Sequence, residues 1–145
     1  MKHSLTVIVP FFNEENTLYE SVKQLAQVDN VEVIILVDDC SSDNSLNIAK
    51  QLESEFKDLK SFLILKNDTN NGKGSAINKA KDFISTSHVL IHDADLEYSP
   101  KDIPPICKLS IENSESLILG SRFIGDKKRN NLYLRTYLAN KVMSL

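Results

Sequence analysis

Short apolar runs rich in β-branched residues alternate along this chain with segments of helical period, and that alternation leaves few folds open. The runs cover residues 5–9, 31–37, 62–65, 88–91 and 117–119. Continuous apolar stretches of this length are what strands buried on both faces require. Between them, Leu18, Val22, Leu25 and Ala26 share one helical face, as do Ile48, Ala49, Leu52 and Phe56, and then Ala76, Ile77, Ala80, Phe83 and Ile84. Start signals agree: Asn13 is placed to cap the first helix and Asp43 the second. Ser99, followed by Pro100 and with Asp102 at the third helical position, resembles a capping box. Strands and helices joined by short connections imply right-handed crossovers. The expected fold is therefore α/β: a doubly wound, mainly parallel sheet with helices on both faces.

Composition narrows the function classes. The chain has 145 residues, enough for one domain, and its 17 basic and 20 acidic side chains give a net charge of −3, which argues against a nucleic-acid coat. At 41% hydrophobic and 26% charged it has the material for a core, which excludes disorder and fibrous repeats. Cys40 and Cys107 lie far apart and outside any Cys-x-x-Cys cluster, so a cytoplasmic, reducing location is expected and a zinc site is not. No apolar run approaches the roughly 18 residues that a membrane helix needs. Leu134, Leu138, Val142 and Leu145 recur at helical spacing up to the last residue with no stop signal after them. The expectation is that 1–145 is one unit, incomplete at its C-terminus.

In such a sheet the ligand sits beyond the carboxyl ends of the strands, and those ends are polar here. They read Pro10-Phe11-Phe12-Asn13-Glu14, Asp38-Asp39-Cys40-Ser41-Ser42-Asp43, Asn70-Asn71-Gly72-Lys73-Gly74 and His92-Asp93-Ala94-Asp95-Leu96-Glu97. Asp93 and Asp95 leave their strand as alternate residues and can aim two carboxylates at one point. Hard oxygens suit Mg²⁺ or Mn²⁺, with Glu97 a further ligand or a solvated side chain. Alone, Asp-x-Asp equally describes a solvated turn. With Asp38 and Asp39 ending another strand, four acidic groups at one rim imply a cation. The segment around Gly72-Lys73-Gly74 is not a Walker motif, because neither the glycine five positions earlier nor the following Ser or Thr is present. It can still offer N–H groups and a cation to an anion, or be a flexible turn. His92 fits a ligand, a proton relay or simple packing. Gly-x-Ser-x-Gly and Gly-x-Gly-x-x-Gly signals are absent, which counts against serine hydrolysis and hydride transfer.

These residues resemble the family 2 glycosyltransferases of the GT-A fold, inverting enzymes that use nucleotide-diphosphate sugars. Val7-Ile8-Val9-Pro10-Phe11-Phe12-Asn13-Glu14 is similar to their V-P-x-Y-N-E opening, with Phe12 for tyrosine. Val37-Asp38-Asp39-Cys40-Ser41-Ser42-Asp43 is similar to V-D-D-G-S-x-D, with Cys40 for glycine. Asn71-Gly72-Lys73-Gly74-Ser75-Ala76, the acidic loop from His92 to Glu97, and Gly120-Ser121-Arg122 complete five motifs in order. The resemblance implies a donor nucleotide site at Pro10, Phe12, Glu14, Val37, Asp39, Lys73, Asp93, Ala94, Asp95 and Arg122. It also implies Mg²⁺ or Mn²⁺ at Asp93, Asp95 and Glu97. No catalytic base is assigned; in the family it lies downstream of residue 145.

Asp95-Leu96-Glu97-Tyr98-Ser99-Pro100 and Gly120-Ser121-Arg122-Phe123, with Arg135 and Asn140 further on, are most similar to the polyprenyl-phosphate and dolichyl-phosphate mannose or glucose synthases. The implied partners are a UDP- or GDP-sugar and a lipid-phosphate acceptor, or a saccharide hydroxyl in cell-surface polysaccharide synthesis. The implied location is the cytoplasm or the cytoplasmic face of a membrane, with membrane association possible in the full-length protein. The rival readings are a non-catalytic nucleotide-binding fragment, a phosphotransfer receiver domain, and a dehalogenase-like phosphatase using Asp93 and Asp95. The order of the motifs argues against the last two.

Overall fold

The computed structural model describes residues 4–113 and 116–120. Four strands form, β1 (Leu5–Phe11), β2 (Val31–Asp38), β3 (Ser61–Lys66) and β4 (His88–Ile91), interleaved with helices α1 (Leu18–Ala26), α2 (Ser45–Phe56), α3 (Lys73–Ala80) and α4 (Ile103–Glu112). The sheet runs in the order β3-β2-β1-β4, and every pairing is parallel. β1 and β2 are the central strands, and their side chains alternate between two cores. Val7, Val9, Phe11, Ile34 and Leu36 pack with Leu18, Val22, Leu25, Ala49, Leu52 and Phe56 of α1 and α2, and Ile103 and Cys107 of α4 join them. On the other face Ile8, Ile35 and Val37 pack against Ala76 and Ala80 of α3. Burying each of these large aliphatic side chains is worth about 1.5–3 kcal/mol. The doubly wound α/β expectation therefore holds, with helices on both faces.

Three expectations need correction. Burial on both faces holds for β1 and β2, but Val89 and Ile91 of β4 are exposed, because α3 packs over β1 and β2. Residues 117–119 form no strand, and Leu117 and Leu119 are 84% and 78% exposed. A run of three offers few ladder hydrogen bonds, and no described strand lies beside it. Asn13 does not cap α1. The N-cap is Thr17, and Asn13 sits in the left-handed region at φ 55° with its side chain turned to the next loop. Asp43 does serve α2, one residue ahead of the N-cap Asn44, by accepting the backbone N–H of Ser45 at 3.0 Å. At Ser99–Pro100 the expected start forms as a 3-10 turn, Pro100–Asp102, which leads into α4.

Pro10 is the one residue of β1 without an N–H. Even-numbered β1 residues face β4, as the bonds His88 N to Ser4 O and His92 N to Ile8 O establish. Pro10 lies past the last β1–β4 pair, Ile8 with Ile91, so its missing donor costs the ladder nothing. β1 and β4 part at that point. This is the switch point of the sheet, where connections leave in opposite directions and a crevice opens.

Candidate donor site at the carboxyl rim

Around the crevice, Pro10, Phe11, Phe12, Asp39 and Lys73 line an open pocket. Phe12 is 43% exposed, so its ring is available for stacking on a flat ligand. Pro10 is buried beside it and forms the floor.

Asp39 is the node of the rim. It is 4% exposed, yet each oxygen is satisfied: Oδ1 accepts from Asn67 Nδ2 at 2.7 Å and from the backbone N–H of Asn71 at 3.2 Å, and Oδ2 accepts from the backbone N–H of Gly72 at 2.7 Å. Burial pushes its pKa up, but these three donors outweigh that and hold the carboxyl below its ordinary value. Gly72 caps α3 at φ 83°, a conformation that costs a side-chain-bearing residue more than glycine. The end of β2 thus fixes the loop from β3 to α3.

A second lattice joins the β1–α1 loop to the β2–α2 loop. Asn13 Oδ1 accepts the N–H of Ser42 at 2.8 Å, and Ser41 Oγ accepts the N–H of Asn13 at 3.0 Å. Asp43 Oδ2 accepts from Glu15 N at 3.1 Å, Glu15 Oε2 from Asn44 N at 3.1 Å, and Ser45 Oγ from Glu14 N at 2.8 Å. Glu14 itself turns onto its own helix, where Oε2 accepts the Thr17 hydroxyl at 2.6 Å. Cys40 adopts φ 67°, so the loop keeps the left-handed turn that the glycine of the resemblance would favour.

Beyond β4, the Lys73 ammonium hydrogen-bonds Asp93 Oδ1. Asp95 Oδ1 accepts the backbone N–H of Glu97 at 3.0 Å, with Leu96 between them at φ 61°. His92 is buried with its ring centroid 6.0 Å from that of Tyr98. Burial lowers its pKa, against an upward pull from Asp93 and Asp95. This favours the packing role over a charged relay.

The four acids do not all call for a metal. Asp38 Oδ1 accepts from Ser41 N at 2.7 Å, and Lys66 Nζ lies 4.0 Å from Oδ2. Asp39 has its three donors and Asp93 has Lys73. Among the described residues no three His, Cys, Asp or Glu side chains converge on a metal position, so the set Asp93, Asp95 and Glu97 does not assemble. Asp95, whose Oδ1 accepts from Glu97 N, and Asp93, paired with Lys73, are the two carboxylates that would serve a metal. That number fits Mg²⁺-type binding, which takes one or two carboxylates and completes its shell with substrate phosphates and water.

Two other expected site residues are packing residues. Val37 is 0% exposed beneath α3, and Ala94 is buried in the core with Ile103 and Cys107. Their side chains do not reach the pocket. Arg122, with Arg135, Asn140 and the apolar face from Leu134 to Leu145, lies outside the described residues. Sequence reasoning missed Asn67 and Ser45. Asn67 follows β3 directly, so its place at a strand end was the available signal.

The family model "Glycosyl transferase family 2" matches residues 6–142. The chain belongs to this family. Among family relatives, it is 30% identical to the UDP-N-acetylglucosamine–dolichyl-phosphate N-acetylglucosaminyltransferase of Methanococcus voltae, covering 95% of this chain and 59% of that protein. It is 28% identical to the dolichol-phosphate mannosyltransferase of Pyrococcus furiosus, covering 88% and 35%. The mannosyltransferase of Pyrobaculum calidifontis, solved with GDP-Man and Mn²⁺, superimposes with a TM-score of 0.61 at 26% identity, covering 66% of this chain and 28% of that one. The family 2 fold here is thus the GT-A, Rossmann-like nucleotide-binding arrangement. The chain spans about half the length of the curated relatives it matches first, 59%, 52% and 55%.

Proposed function

We infer that this chain is the donor-binding part of an inverting, metal-dependent hexosyltransferase that moves a sugar from a UDP- or GDP-sugar to a polyprenyl phosphate. The reaction belongs to cell-envelope synthesis at the cytoplasmic face of a membrane. The observation that carries the reading is the crevice itself: at the switch point between β1 and β4, the exposed Phe12 ring, the Asp39 carboxylate and Lys73 line one opening, and the Lys73 ammonium reaches Asp93. Phe12 stacks on the base, and Asp39 holds the Asn67–Gly72 loop as a rigid wall beside it. Lys73 meets the diphosphate, and Asp93 and Asp95 hold Mg²⁺ or Mn²⁺, which when bound offsets charge on the departing diphosphate. A lipid phosphate is already an anion and attacks with little base assistance. The relatives' dolichyl-phosphate acceptors support the lipid over a saccharide hydroxyl. Among the described residues no helix is long and apolar enough to cross a membrane.

The test is calorimetric binding of UDP, GDP, TDP and CDP with and without Mn²⁺, repeated with Asp95→Ala. The expected result is metal-dependent binding of one nucleotide, lost in the variant. Binding that ignores both the metal and the substitution would overturn the reading.

A further inference from the structure

Lys73 and Asp93 have opposite tasks in the donor site, a cation for phosphate and a carboxylate for metal, yet here each is engaged by the other. A carboxylate already neutralised by an ammonium group is a poorer ligand for a divalent ion, because the two positive charges compete for it. We propose that Lys73 is the resident counter-ion of Asp93, displaced when a nucleotide diphosphate arrives with its metal, and that this exchange couples the two binding events. The inference rests on the donor-site reading above and adds the coupling to it.

Three observations carry it. Lys73 lines the pocket with Phe12 and Asp39, so an ammonium released from Asp93 stays where a diphosphate would lie. Its backbone is fixed, because Asp39 holds Gly72 and α3 begins at Lys73, so only the side chain has to move. That side chain is 53% exposed while Asp93 is 21% exposed, so the swing of the lysine disturbs no packing, and an ion pair with its ammonium in solvent is weak enough to exchange. Metal alone must displace Lys73 into water. Metal with a diphosphate gives the ammonium a new anionic partner, and the coupling is reciprocal by linkage.

The experiment measures Mn²⁺ affinity of the full chain by electron paramagnetic resonance, with and without UDP or GDP, for wild type, Lys73→Met and Lys73→Arg. Without nucleotide, Lys73→Met is expected to bind Mn²⁺ about threefold more tightly than wild type. Nucleotide should then improve its Mn²⁺ affinity by a smaller factor than in wild type, and Lys73→Arg, which keeps the cation, should behave as wild type. Equal or weaker nucleotide-free binding by Lys73→Met, with Mn²⁺ and nucleotide still binding together in wild type, overturns the exchange and leaves the donor site standing. Absence of Mn²⁺ binding by wild type with either nucleotide overturns both.

Discussion

Oδ2 of Asp39 accepts the backbone N–H of Gly72 at 2.7 Å, tying the end of β2 to the residue that opens α3. With Asn67 and Asn71 on Oδ1, one buried carboxylate organises a whole connection. Asp39→Asn replaces one acceptor with an NH₂ group facing donors. The expected cost is about 2 kcal/mol, read from the midpoint of urea unfolding.

The same carboxylate makes the fold sensitive to acid. Its folded pKa lies below the ordinary value of 3.8, so the unfolded chain takes up a proton first as pH falls. The contribution is complete above the unfolded value and is lost as pH drops through the folded one. Unfolding midpoints measured between about pH 5 and pH 2 should fall steeply for wild type and less steeply for Asp39→Asn.

Cys40 sits at φ 67°, where a Cβ is unfavourable, and its thiol makes one weak contact to the Asp68 carbonyl at 3.4 Å. Cys40→Gly should stabilise the chain by about 1 kcal/mol. An unchanged or lower thermal midpoint would mean that the thiol contact outweighs the backbone strain.

Val37 supplies packing under α3 and no contact to the pocket. Val37→Ala should cost about 2 kcal/mol of stability. Nucleotide affinity measured by calorimetry on the folded variant should match wild type.

How much of this the residues announced depends on the range of the interaction. The ends of β1, β2, β3 and β4 were legible to within a residue or two, because strands of a parallel sheet read as near-continuous apolar runs. The acidic and amide residues at those ends were legible as a rim for the same reason. Their partners were not. Asn13 looked like a helix cap because caps are local, but its acceptor serves Ser42, a bond 29 positions along the chain that no local pattern encodes. Asp38 and Asp39 looked like charges in need of a cation. Asp39 finds its donors in a loop about thirty residues away, and Asp38 Oδ1 accepts from Ser41 N, while the buried Asp38 Oδ2 has no hydrogen bond and only the Lys66 ammonium at 4.0 Å. Residues 117–119 carried the composition of a strand, but composition does not supply a neighbour.

Most of the Asn13, Asp39 and Asp43 bonds act on backbone groups, so the loops are held without the outward side chains of Phe12 and Lys73. A rim held from beneath in this way separates shape from choice. On the donor-site reading proposed above, substitutions at Phe12 or Lys73 should change ligand preference while the loops keep their course.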